Sequence, residues 1–356
     1  MSTEAAATIA VAGAIAVVGA SARAAAFSLL RAGYQVVAAD QFADADLARC
    51  CPATRIATYP DGFADWLAQV ECDSWLYTGA LENYPELVDR LAKIRPLIGN
   101  SGESLRRVRN PLLLQKVLQQ ADFLFPETVA ATAGRLRQGR WLGKTYQGSS
   151  GNGVSLATGA PRDVPYWQRR VSGTPLSAVF EGSELRGVTR QLVGEPWAGA
   201  AQFQYCGSIG PWLLSSKCER HLQQLGERLC QEFELTGWYG IDLIDSGDQL
   251  WIIEVNPRYT AAVEIVERAH ADANACFGKA ILFAKQPLTM DAQLCETLLS
   301  DADSIRWPRL ADIPIRGTKI AIGQPVLTTF ASATSVQAVE IELQHCIKEL
   351  EQQLYV

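Results

Sequence analysis

Trp251-Ile252-Ile253-Glu254-Val255-Asn256-Pro257-Arg258 is an apolar strand signal that ends in an acid, an amide and a cation. Side chains alternate faces along a strand, so Glu254, Asn256 and Arg258 project to one side. Two oxygen donors two residues apart, followed by a positive charge, suit a hard divalent cation that holds phosphates. Upstream, Gly240-Ile241-Asp242-Leu243-Ile244 reads as a partner strand, and Asp245-Ser246-Gly247-Asp248 as the turn between the two. A hairpin of this form brings Asp242 beside Glu254 and Asn256. The competing reading is an acidic strand end facing solvent, since most charges are at the surface. An acid opposite E-x-N-x-R on paired apolar strands favours the metal reading instead.

Composition narrows the classes. A chain of 356 residues is too long for one simple core and is expected to hold two or three units. With 48% hydrophobic and 20% charged residues it has the balance of a soluble globular protein. A net charge of −6 without a dense Lys/Arg run argues against nucleic acid as a partner. The alanine-rich start, 5–20, is preceded by Glu4 where a secretory signal needs positive residues, and Gly13 and Gly19 interrupt it. It is too short to span a bilayer and reads as a tail entering a first buried strand, Ile15-Ala16-Val17-Val18. A cytoplasmic protein with no membrane partner is the expectation. The nine cysteines are dispersed apart from Cys50-Cys51 and contain no C-x-x-C, so they read as core thiols, neither a disulfide framework nor a zinc site. His221, His270 and His345 are isolated, and nothing supports a Ser-His-Asp or Cys-His arrangement.

Strand and helix signals alternate through the first hundred or so residues, as in a parallel α/β sheet. The strands are expected at Ile15-Val18, 34–40, 74–79 and 96–100, with helices at Arg23–Arg31 and 84–94. The turn at Gly19 lacks a full G-x-G-x-x-G, so packing explains it better than a dinucleotide. Helical patterns follow at 103–120 and 218–233, strands at Trp141-Leu142-Gly143-Lys144 and Tyr166-Trp167-Gln168-Arg169-Arg170-Val171, short strands at 316–329 and a closing helix at 336–354. Lys144 leads into Gln147-Gly148-Ser149-Ser150-Gly151-Asn152-Gly153. Such a loop can fold over a phosphate chain and donate backbone N–H groups while the lysine supplies a point charge. Taken alone it is equally a mobile connector.

Lys144 with its glycine loop, the stretch from Gln168 to Val171, Asp242 and the E-V-N-P-R strand together resemble an ATP-grasp enzyme from about Ile15 to Phe330. That resemblance implies an α/β and α+β fold. A Rossmann-like domain at 1–102 would precede an ATP-grasp domain of two α+β subdomains at 103–300, and a strand segment with a closing helix would occupy 301–356. It implies that Lys144 contacts the α/β-phosphates, that Gly148, Ser149, Ser150, Gly151 and Gly153 form the lid, and that Gln168, Arg169 and Val171 form the adenine hinge. Asp242, Glu254 and Asn256 would hold two Mg²⁺, with Mn²⁺ as the expected substitute, and Arg258 would stabilise charge on the acyl phosphate. Arg190 and Lys217 fall where the family places γ-phosphate or substrate contacts, with a solvated surface charge as the alternative for each. Tyr259 and Glu264 follow Arg258 as the family's acceptor-pocket tract does, although Glu264 equally suits a helix start. The chain departs from the pattern at Arg109-Asn110-Pro111, where the family has a D-K pair, so Arg109 becomes the candidate phosphate contact. It also has Gln168 in place of the hinge glutamate and lacks the ribose acid near Pro175.

The implied activity is an ATP- and Mg²⁺-dependent ligase that activates a carboxylate as an acyl phosphate and couples it to an amine. Small-molecule substrates and a homodimer are expected. The E-V-N-P-R-Y-T tract is similar to carboligase-like proteins related to biotin carboxylase, one branch of which comprises the tyramine/tyrosine–glutamate ligases of methanofuran-type one-carbon carrier biosynthesis. Two alternatives stay open: a bicarbonate-activating carboxylase of the biotin carboxylase or aminoimidazole-ribonucleotide type, and a non-catalytic nucleotide-binding protein.

Overall fold

The computed structural model describes residues 13–131, 141–157, 164–247, 249–301 and 306–355. The alanine-rich tail up to residue 12 and Asp248 of the hairpin turn lie outside them.

Four parallel strands form the first sheet, in the order Ala53–Arg55, Val36–Asp40, Ile15–Val18, Ser74–Tyr77. Ala16, Val18, Trp75 and Tyr77 enter one core, while Val17 and Ala38 face another beneath the helix Arg23–Arg31. The strand expected at 96–100 is reduced to one bridge, Trp75 to Leu97. Pro96 has no N–H to extend the ladder, and Gly99 turns the chain away at φ +136°. The helix expected over 103–120 is two helices, Gly102–Val108 and Pro111–Gln120. The break is local in origin. Asn110 Oδ1 accepts from the backbone N–H of Leu112 and Leu113 at 3.1 and 3.2 Å, and Pro111 occupies the first turn, where its missing N–H costs nothing.

A second, antiparallel sheet of eight strands carries most of the molecule. Its order is Leu250–Asn256, Trp238–Asp245, Thr174–Glu181, Glu184–Val193, Tyr205–Gly210, Cys276–Phe283, Pro325–Ala333, Leu310–Ala311. The helix Ser216–Phe233 packs on it through Leu222, Leu225, Leu229 and Phe233, against Phe180 and Tyr239. The closing helix Val336–Leu354 buries Val339, Leu343 and Ile347 against the Cys276–Phe283 and Pro325–Ala333 strands. Lys279 pairs with Phe330 in that ladder, so the sheet runs without a break across position 300. A third, four-stranded sheet in the order Thr128–Ala130, Tyr166–Arg169, Trp141–Lys144, Val154–Leu156 supplies Lys144 and the glycine loop. Among the described residues no helix is long and apolar enough to cross a membrane.

Candidate active site

In the Trp238–Asp245 and Leu250–Asn256 ladder, Asp242 stands opposite Glu254 and Gly240 opposite Asn256. A register shift follows between Asp242 and Leu243. Such a bulge re-aims side chains at a strand end. Asn256 Nδ2 donates to Asp242 Oδ2 at 3.0 Å, and Gln191 Nε2 donates to Asp242 Oδ1 at 2.8 Å.

These residues line a cavity of about 300 Å³ together with Lys144, Arg258 and the whole glycine loop. Burial first, then the facing Glu254 charge, pushes the Asp242 carboxyl up to about 7, against the hydrogen bonds from Asn256 and Gln191 and the charge of Arg258. Burial opposes ionisation of Glu254 too, but Lys144 and then Arg109 outweigh it and hold that carboxyl below its ordinary value. Lys144 is buried in turn and pulled below the ordinary lysine range, with Glu254 and Asp242 opposing the shift. Two carboxylates and an amide held this way are deficient in positive charge. Mg²⁺ accepts such partial oxygen sets when phosphate oxygens and water complete the shell. The residues present therefore fit a divalent cation, although among the described residues no three His, Cys, Asp or Glu side chains form a metal cage.

The loop after Lys144 is built for close approach. Gly151 and Gly153 take φ of +84° and +86°, and a Cβ on Gly151 would sit 1.8 Å from the Phe203 carbonyl oxygen. Arg109 fastens the loop from outside, its guanidinium donating to the carbonyls of Tyr146 and Gly148 at 3.1 and 3.2 Å and to Asn83 Oδ1 at 2.8 Å. The backbone N–H of Tyr205 holds the other side through the Ser150 carbonyl at 3.2 Å.

Arg258 reaches the cavity while its Nε donates to Glu82 Oε1 at 2.8 Å. Glu82 is fully buried in the short turn Leu81–Asn83 beyond the last parallel strand, and Arg109 stands 3.9 Å from the same oxygen. Among the described residues its Oε2 has no hydrogen-bond partner. Sequence reasoning missed Glu82, although its position was a signal, because open parallel sheets bind ligands beyond the carboxyl ends of their strands. It also missed Gln191 and Tyr205, which sit on strands that were not anticipated.

Other expected residues lie elsewhere. Gln168 is buried, with long contacts of 3.4 Å to Thr128 Oγ1 and the Ile253 carbonyl. Gln168, Arg169 and Val171 are all absent from the cavity lining, where Tyr166 takes the place on that strand. Lys217 is exposed on the Ser216–Phe233 helix beside a separate cleft with His221. Arg190 is clamped by Glu340 of the closing helix at 2.6 and 3.1 Å. Tyr259 is buried, its hydroxyl donating to the Ala24 carbonyl at 3.4 Å. Glu264 is sealed between Arg23 and Lys279, which hold its carboxyl far below the usual range despite burial.

Residues 108–262 match the family model of the ATP-grasp domain. These residues form an ATP-grasp domain. The wider fold is shared with N5-carboxyaminoimidazole ribonucleotide synthetase in its ADP complex, at TM-score 0.66 and 14% identity over 96% of this chain and 97% of that one. It is shared equally with L-amino acid ligase from Bacillus licheniformis, at TM-score 0.65 and 14% identity over 96% and 97%. Biotin carboxylase from Campylobacter jejuni, in a β,γ-ATP complex, aligns at TM-score 0.62 and 12% identity over 92% and 89%. A Methanocaldococcus jannaschii protein named uncharacterized protein MJ0776 is 23% identical over 195 residues, 50% of this chain and 45% of that protein. The match thus spans less than half the length of that curated relative. Within this chain the ATP-grasp domain holds Asp242, Glu254, Asn256, Lys144 and Arg258, whereas Glu82 lies outside it and touches the cavity only through Arg258.

Proposed function

We propose that the chain is an ATP- and Mg²⁺-dependent ligase that activates a carboxylate and joins it to an amine. The observation that carries this reading is one cavity in which Asp242 faces Glu254 beside Asn256, with buried Lys144 and a glycine loop across from them. Lys144 and the loop N–H groups would hold the phosphates, and Asp242, Glu254 and the amide oxygen of Asn256 would hold Mg²⁺. The metal supplies charge neutralisation on the phosphates when bound. A substrate carboxylate oxygen then bonds to the γ-phosphorus as the bond to ADP breaks. The amine nitrogen next bonds to the carbonyl carbon, phosphate leaves, and the nitrogen loses a proton. No side chain need act as nucleophile, so the protein's part is positioning and charge neutralisation. Arg258 is placed to meet the negative charge that grows in both steps, with Glu82 fixing the plane of its guanidinium. Nine free cysteines suit a reducing compartment such as the cytoplasm.

The test is ADP release in the presence of Mg²⁺ over pooled carboxylates and amines, glutamate and tyramine among them. Amine-dependent release is expected, and Glu254→Gln should lower it by ~10²-fold or more while the circular dichroism spectrum is retained. Wild-type turnover in a folded Glu254→Gln preparation would remove the metal assignment.

A further inference from the structure

A second cavity, of about 620 Å³, shares Ser149, Ser150, Asn152 and Tyr205 with the first, so the glycine loop is a wall common to both. Two carboxylates line it, Asp44 and Asp312. Asp312 is fully committed. The Arg23 guanidinium grips it at 2.9 and 3.0 Å, and Thr328 Oγ1 donates to it at 2.6 Å, with the backbone held at φ +56°. The neighbouring acids are satisfied as well. Asp46 accepts the backbone N–H groups of Asp312 and Ile313, both at 3.0 Å, and Asp40 accepts those of Ala22, Phe42 and Ala43.

Asp44 differs from all of these. It is only 5% exposed. It precedes the helix Ala45–Cys50 without capping it, and no hydrogen bond or ion pair reaches its carboxylate among the described residues. Burial together with Asp312, Asp46 and Asp40 raises its carboxyl well above the ordinary range, and the opposing cation, Arg23, is already divided between Asp312 and Glu264. Left without a partner such a group keeps its proton, and a cation set against it in the cavity would favour the ionised form. Here the open side of that carboxylate is the cavity.

The remaining lining defines the partner. Phe42, Ile281, Phe283 and Val326 make the walls largely apolar, while the exposed cations Arg55 and Lys319 stand at the solvent side, Arg55 held by the Gln41 carbonyl at 3.1 Å. A hard metal ion needs several free oxygens, and those of Asp312 are taken. A single free carboxylate at the end of an apolar slot matches the compact, three-donor head of an ammonium group. Exposed Arg55 and Lys319 against buried Asp44 favour a molecule whose ammonium leads inward. We propose that this second cavity is an ammonium site, which takes a small organic amine with its positive nitrogen on Asp44 and its apolar body against Phe42 and Phe283, next to the nucleotide cavity. The amine's role as the acceptor rests on the ligase reading; the cavity's preference for a cation does not.

The probes are 2-phenylethylamine, a cation at about pH 7.5, and its neutral counterpart 2-phenylethanol. Saturation-transfer NMR titration of the full chain should show the amine binding at least ~tenfold tighter than the alcohol, the scale of one charge-assisted contact. Asp44→Asn, which breaks no internal contact, should abolish that preference and leave ATP affinity within about twofold, since Asp44 is no part of the first cavity. Equal binding of amine and alcohol by the wild type overturns the proposal, and so does a preference that survives in Asp44→Asn. Should that variant fail to fold, Asp44→Ser replaces it, and the wild-type comparison still decides. Failure of the ligase reading registers separately, as missing ADP release with the amine preference intact.

Discussion

Asp242 and Glu254 face each other across one hairpin, yet their surroundings drive them apart. Glu254 has Lys144 and Arg109 for company and stays ionised, whereas Asp242 has mainly hydrogen-bond donors and is held near neutral pH. Environment, and not residue type, assigns the proton. The same logic gives Asp44 a testable signature. Its carboxyl titrates well above the usual aspartate range because of burial, Asp312, Asp46 and Asp40, with Arg23 opposing. The folded chain therefore keeps a proton that the unfolded chain has released. Its contribution to stability is present in full below pH ~4 and is lost progressively as pH rises toward the folded value. Asp44→Asn removes this dependence. The variant should melt with the wild type near pH ~4 and ~1–3 °C above it near pH ~8. An offset that stays constant with pH would show that the charge is not the cause.

At the scale of elements, the glycine loop is the part in which backbone conformation shapes the cavity wall. Gly151 has no room for a side chain, and its φ of +84° is one that L residues adopt at a cost of ~1–2 kcal/mol. Gly151→Ala should thus push the loop off Phe203 and weaken ATP by ~5–30-fold. The melting temperature should stay within ~2 °C, because the loop contributes nothing to the main cores. Titration with ATP alongside a thermal melt checks both. Lost stability with unchanged ATP affinity would make the loop a structural turn and nothing more. Arg109, at the end of the helix Gly102–Val108, acts on this loop from outside, since its contacts to the Tyr146 and Gly148 carbonyls close it over the cavity. The Arg109-Asn110-Pro111 tract therefore does two jobs, ending one helix and fastening the loop.

Across the whole molecule, an ion pair behind the cavity joins two sheets. Glu82 hangs from the end of the parallel sheet and Arg258 from the end of the antiparallel one, 176 positions later, and the two meet at 2.8 Å. Tyr77 and Asn100 reinforce the junction, the hydroxyl of one and the amide of the other donating to the Pro257 carbonyl at 3.1 and 3.0 Å. Arg258→Lys keeps the charge but loses the planar fork, and Glu82→Gln loses the anion that orients it. If the pair acts as a unit, each single variant should slow single-turnover ADP formation by ~10²-fold. The double variant should be little worse, a coupling of ~1–3 kcal/mol. Simple additivity would mean that Glu82 braces the sheets without acting through Arg258.

What the amino-acid order determined by itself was local. Period-two alternation put Asp242, Glu254 and Asn256 on one face, and a short turn made them neighbours, so that part of the site was legible before any folding. The helix Val336–Leu354 was equally local and was read, whereas the Asn110-Pro111 stop, though local, was passed over in the single helix expected across 103–120. The strand Thr174–Glu181 was not legible, because it is covered on both faces at the sheet centre and shows no alternation to read. Without it and its neighbour, Gln191 had no place, and Arg190 could not be assigned to Glu340. Glu82 at Arg258 and unpaired Asp44 beside Asp312 were decided only by the packing of one sheet against another. Their partners come from remote segments, and no periodicity along the chain encodes which remote charge a buried carboxylate will meet, or whether it meets one at all.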